Sequence, residues 1–118
     1  MSKERPKISG IIKLRTKELE GFQNSVIRPI IKMQHNLLIA FIENYLQKRK
    51  IDFLIISEEK KKLKIKSILE KDIQFRNIIL GSIIGHFSMD EYQQYYHIAS
   101  EMNKRIIQIT IQRFQDTL

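Results

Sequence analysis

Three histidines, at positions 35, 86 and 97, are the only imidazoles in the chain, and they limit its metal and acid–base chemistry. A metal site needs two or more convergent ligands, usually three. No two histidines stand four apart, as a helical zinc pair requires, and the only ligand-type residue four from His97 is Glu101. His97 and Glu101 fall on the side of their helix away from Tyr92, Tyr96 and Ala99, so water is the expected neighbour. His86 falls in a turn between helices and is expected to bond to backbone or water. His35 lies beside an apolar helix face, as a polar group at the core edge. Acid–base catalysis needs groups held together with shifted pKa values. Glu43, Glu70 and Glu101 are the carboxylates a fold could gather, but their positions also suit wetted helix surfaces. No serine has a nucleophile-elbow setting. Four glycines form no phosphate-cradling loop. The chain reads as non-enzymatic, with no cofactor, no metal and no catalytic residue expected.

Charge is the next chemical signal. Twenty-one Lys and Arg against 13 Asp and Glu give a formal charge of +8. Such an excess favours nucleic acid, anionic membrane or acidic proteins, or serves solubility alone. Lys60, Lys61, Lys62, Lys64 and Lys66 are the densest cations and form the candidate anion-binding segment. Dense lysines attract phosphate backbones without reading sequence. On a helical wheel these five do not collect into one stripe, and Glu58 and Glu59 dilute them. The turn Gly85-His86-Phe87-Ser88 between two helices invites comparison with helix-turn-helix DNA binders. The second helix, however, begins with Asp90-Glu91, which would face phosphates, while Lys104, Arg105 and Arg113 come late.

The elements that must position these groups read as helices. Phe87-Ser88-Met89-Asp90-Glu91-Tyr92 is the sharpest signal: Ser88 caps, Glu91 answers from the third helical position, and Phe87 with Tyr92 forms a hydrophobic staple. A helix over 23–49 carries apolar pairs at three- and four-residue steps. Pro29 breaks its regularity, and a start near Asn24 or Ser25 would leave Pro29 in the first turns. Lys48-Arg49-Lys50 suit its C-terminus. Residues 51–66 read either as a hairpin, 52–56 with 62–66, or as a connector followed by a helix capped by Ser57; the helix is favoured. Asp72 caps a third helix over 73–84, apolar on most sides and so expected to be the most buried. Gly81 lies inside it, where either a close crossing or chance explains the glycine. A final helix over 89–114 is long for so small a domain. Its Ile107, Ile111 and Phe114 side would need a cover, which a second subunit could supply. Ile11–Thr16 reads as a short strand or the approach to a helix.

The length, 118 residues, suits one domain over 1–118, with 1–10 loosely held. The expected class is all-α, an irregular bundle of about four helices with the last one long. There is no Cys, so no disulfide and no Cys-ligated metal. No apolar run approaches a membrane span. Met1–Lys7 lacks the apolar core of a signal peptide, so cytoplasm is the expected compartment.

Phe22-Gln23-Asn24-Ser25-Val26-Ile27-Arg28-Pro29 and the residues on to Leu38 resemble a small family of uncharacterised Bacteroidota proteins. The likeness returns at Ile84–Ser88 and Asn103–Arg105, so it spans nearly the whole chain. Some family members carry the name glyoxalase. That name implies paired strand–helix–strand modules with His and Glu ligands on sheets, which this sequence does not offer, and no catalytic residue is carried over. A site shared by the family would fall among Asn24, Arg28, Gln34, His35, His86 and Asn103. Three functional readings follow, in order: a helical protein–protein interaction or scaffold protein, self-associating as a homodimer; a weak, sequence-independent nucleic-acid binder through Lys60–Lys66, a cluster that an acidic protein could also meet; and small-ligand binding or catalysis at a polar pocket near His35 and His86.

Overall fold

Pro29 governs how the first helical stretch is built. Its ring has no N–H to donate and crowds the carbonyl four residues back, at Ser25. In the computed structural model, which describes residues 14–118, the chain is already helical at residue 14 and stays so through Gln23–Ile27 into α1 (Arg28–Met33). Over Gln23–Ile27 the backbone widens into a π turn, and the Arg28 N–H donates to the Gln23 carbonyl five residues back. The widening accommodates Pro29 without ending the helix. The expected start near Asn24 or Ser25 is therefore corrected. Expectations for 1–10 and for 11–13 lie outside the described residues.

Gln34, with φ −91° and ψ 9°, interrupts the helix between α1 and α2 (His35–Lys48). α2 ends in a Schellman arrangement: Lys50 N–H donates to the Gln47 carbonyl at 3.0 Å and Ile51 N–H to Leu46 at 2.9 Å. Residues 52–66 contain no hairpin. Asp52 accepts from Leu54 N–H and opens the 3₁₀ turn Phe53–Ile55, then Ser57 caps α3 (Glu58–Lys71). Asp72 caps α4 (Ile73–Ile84) by accepting from Phe75 N–H. Ser88 and Glu91 form both bonds of the capping box that opens α5 (Met89–Tyr96). The expected staple differs: Phe87 pairs with Phe22 at 5.5 Å and Tyr95 at 5.3 Å, and Tyr92 sits on the outside.

α6 (Ala99–Thr117) is separated from α5 by His97 and Ile98. The expected single helix over 89–114 is thus two. The break has a packing cause: Ile98, at φ −123°, is buried, and Tyr95 one turn earlier is buried too, its hydroxyl donating to Asn103 Oδ1 at 2.6 Å. Breaks at Gln34 and at His97–Ile98 turn the expected four helices into six α-helices among the described residues, with no strand. The all-α expectation holds.

α6 is the central element, packing on α3, α4, α5 and the π turn, while α3 also packs on α4. Met102, Ile106, Ile107, Ile111 and Phe114 are all buried within the chain. The side of α6 expected to need a second subunit is covered by this packing. α4 is not buried all round: Phe75, Ile79 and Ile83 face the core, but Ile73 and Ile78 are exposed. Gly81 has nothing within 4 Å of where a Cβ would stand, so no close crossing explains it. Each fully buried Ile or Leu contributes about 1.5–3 kcal/mol of transfer free energy. No described helix is long and apolar enough to cross a membrane.

Candidate functional site

α6 carries Arg105, Gln108, Gln112 and Asp116 at three- and four-residue steps, which places them on one stripe. Opposite lies the π turn. An extra residue in a helical turn re-aims the side chains around it, and such turns often stand at functional sites. Here the π turn presents Gln23, whose Oε1 accepts from Arg105 Nη1 at 3.0 Å, and Asn24, whose Oδ1 accepts from Arg28 Nε at 3.2 Å. Between the two walls runs an open groove of ≈ 490 Å³ lined by Gln23, Arg28, Arg105, Gln108, Ile109, Gln112, Arg113, Asp116 and Thr117.

Arg113 reaches His35 at the start of α2, with Nη1 3.0 Å from Nδ1. A guanidinium only donates, so Nδ1 accepts and the ring proton of His35 sits on Nε2. The break at Gln34 makes this possible by turning α2 so that its first residue meets α6. Three guanidinium groups therefore border one groove, and each is held by a neutral side chain: Asn24, Gln23 or His35. Among the described residues none of the three forms an ion pair. Asp116, the one carboxylate in the lining, accepts from Gln112 Nε2 at 2.9 Å. The arrangement leaves a net positive groove with planar, pre-oriented donors, which match phosphate and carboxylate oxygens.

The residues singled out from sequence divide among three places. Arg28 lines the groove, and Asn24 and His35 hold two of its arginines, Arg28 and Arg113. Gln34 and His86 meet each other, Gln34 Nε2 against His86 Nε2, across 52 residues of chain. Asn103 serves Tyr95, whose phenol is raised above its usual pKa by burial, with the Asn103 contact working the other way. His86 thus bonds a side chain, where backbone or water was expected. His97 is exposed, and Glu101 pairs with Arg15 at 3.3 Å. Among the described residues no three His, Asp or Glu side chains group as metal ligands. Lys60, Lys62, Lys64 and Lys66 are exposed on α3, whereas Lys61 is half-buried and paired with Glu58 at 3.1 Å.

A second groove, ≈ 410 Å³, lies between α2 and α4, with Phe41, Tyr45, Arg49, Asp72, Phe75 and Ile78 in its lining. Here the charges are internally satisfied. Asp72 accepts from Phe75 N–H at 3.1 Å, from the Tyr45 hydroxyl at 2.8 Å and from Arg49 at 3.3 Å, and Arg49 stacks over the Tyr45 ring at 3.8 Å. The Phe75 N–H first, then the Tyr45 hydroxyl and the Arg49 charge, hold the Asp72 carboxyl below the usual range. Burial, and then Asp72, push the Tyr45 phenol up. One carboxylate fastens α2 to the α3–α4 junction, which is a structural clasp. The contrast with the first groove is chemical: among the described residues Arg49 has a counterion, Asp72, and Arg28, Arg105 and Arg113 have none.

Sequence reasoning missed Gln23, Arg105, Gln112 and Arg113. The polar stripe of α6 was the signal that could have found Arg105 and Gln112. Comparison with protein-family models, with curated proteins and with solved structures yields no match for this chain.

Proposed function

We propose that this chain is a non-enzymatic anion-binding protein, an irregular helical bundle whose ligand presents phosphate or carboxylate groups to Arg28, Arg105 and Arg113. One observation carries the reading: three guanidinium groups share a groove in which, among the described residues, each has only a neutral bonding partner. Concentrating like charge on one surface is unfavourable unless an anion is there to meet it. Gln23, Gln108 and Gln112 add amide groups able to donate or accept, which suits a polar ligand larger than a single ion. A cytoplasmic setting accords with this reading.

Calorimetric titration with inorganic pyrophosphate tests it. Saturable binding that weakens about tenfold or more in Arg105→Gln and again in Arg113→Gln is expected, since a hydrogen bond to a charged group contributes about 1.5–3 kcal/mol. Binding unchanged by both substitutions would overturn the assignment.

A second reading, self-association, is favoured by the apolar edge of the other groove. Ile78, 52% exposed, lines that groove with Phe41 and Tyr45. Light scattering of the wild type and of Ile78→Glu distinguishes a dimer built there from a monomer.

A further inference from the structure

The connection between α2 and α3 places two of its apolar residues outside. Ile51 and Phe53 pack against the core, and the Asp52 carboxylate holds the Leu54 N–H at 2.8 Å, fixing the 3₁₀ turn. That anchoring turns Leu54 and Ile55 outward, 92% and 80% exposed, with no described neighbour covering them. Leu63, 67% exposed, lies less than two turns into α3. In the chain Lys48 and Lys50 precede these tips and Lys60, Lys62 and Lys64 follow them, all exposed and, among the described residues, none in an ion pair. Of the nearby acids, Asp52 is occupied by the Leu54 N–H and Glu58 by Lys61, which leaves Glu59.

We propose that this connection docks onto an anionic phospholipid bilayer, Leu54 and Ile55 entering the acyl boundary while the lysines meet the headgroups. Exposed aliphatic tips flanked in the chain by exposed cations have the two attractions that peripheral membrane binding sums: buried apolar area and charge. The composition disfavours the other occupants. A nucleic-acid strand stacks its bases on aromatic rings, and the exposed tips here are Leu and Ile. A second copy would bring one lysine cluster against another. Lys50 fits as well: it holds a left-handed backbone, φ 54°, where glycine is the ordinary residue, and thereby keeps a cation beside the tips.

Co-sedimentation with phosphatidylcholine vesicles, with and without phosphatidylserine, tests the proposal. Binding should require phosphatidylserine and weaken as salt rises. The double substitution Leu54→Ser/Ile55→Ser should weaken it at least about tenfold, and Lys60→Glu/Lys62→Glu by a comparable factor. Both sets are on the surface, and circular dichroism checks that the helices persist. The chain contains no Trp, so Leu54→Trp is a clean reporter whose emission should shift to the blue on phosphatidylserine vesicles and be quenched by brominated acyl chains. The proposal is overturned if the serine substitutions leave vesicle binding intact, if the indole emission of the Leu54→Trp variant does not respond, or if duplex DNA binds as tightly as the vesicles and does so independently of Leu54 and Ile55.

Discussion

Lys50→Gly is expected to be more stable than Lys50→Ala, because position 50 occupies a backbone conformation that L side chains adopt at a cost. At φ 54° it is the one non-glycine residue with positive φ among those described. It is the residue just beyond the α2 C-cap, and its N–H and that of Ile51 close the helix on Gln47 and Leu46. Glycine keeps both bonds and relieves about 1–2 kcal/mol of Cβ crowding. Against this stand the larger unfolded-state entropy of glycine, about 0.4–1 kcal/mol, and the loss of a cation at the negative end of the helix dipole, about 0.3–1 kcal/mol. The three terms nearly cancel, so the glycine variant should match wild type to within about 1 kcal/mol. Lys50→Ala isolates the backbone effect: it also removes the charge but retains the Cβ. The glycine variant should exceed the alanine variant by about 1 kcal/mol, a difference of about 3–5 °C in melting temperature for a chain of this size. Thermal melts followed by circular dichroism at 222 nm measure it. An alanine variant as stable as the glycine variant would refute the reasoning, since it would mean that Lys50 is not left-handed. The glycine variant should also bind phosphatidylserine vesicles less well.

The remaining expectations concern the clasp, one cap and the core. Because Asp72 titrates below its usual range when folded, it favours the folded state above about pH 4 and stops doing so as pH falls through its lowered pKa. Asp72→Asn keeps a capping side chain but not the charge, so urea midpoints of variant and wild type should differ at neutral pH and converge in acid. The Tyr45 phenol is raised, so its contribution runs the other way and is lost above about pH 10 as alkalinity deprotonates it. Ser88→Ala removes one half of the capping box at α5 and should cost about 1 kcal/mol by urea denaturation. Ile79 is fully buried on α4, and Ile79→Ala should cost about 2–5 kcal/mol, measured in the same way.

Those parts of the fold written in local chemistry were legible from the sequence. Ser57, Asp72 and Ser88 each cap the helix they were expected to cap, and α4 occupies the residues expected of it. The breaks at Gln34 and at His97–Ile98 were not legible, because neither carries Gly or Pro and both fit a helical period. Tertiary packing decides them: Ile98 and Tyr95 are both buried at the second, and Gln34 meets His86 at the first. Pro29 was recognised as an irregularity, but the outcome, a π turn within a continuing helix, depends on what the widened turn gains from Arg105 and Arg28. The candidate site was half visible. Asn24, Arg28 and His35 stood out, whereas the pairs that close the site join distant parts of the chain, Arg105 82 residues from Gln23 and Arg113 78 from His35. Local periodicity carries no information about such pairings. Lysine at the left-handed position after α2 was equally hidden, since the usual glycine marker is absent.

The central claim is that Arg28, Arg105 and Arg113 form one anion site, and the Nε–Hε resonances of the arginines report on it directly. In proton–nitrogen correlation spectra, titration with inorganic pyrophosphate should move the signals of Arg28, Arg105 and Arg113 together along a single saturable curve. Arg49 and Arg15, whose charges are met by Asp72 and Glu101, should stay in place. Resonances of the three that remain unmoved, or that move no more than those of Arg49 and Arg15, would contradict the account.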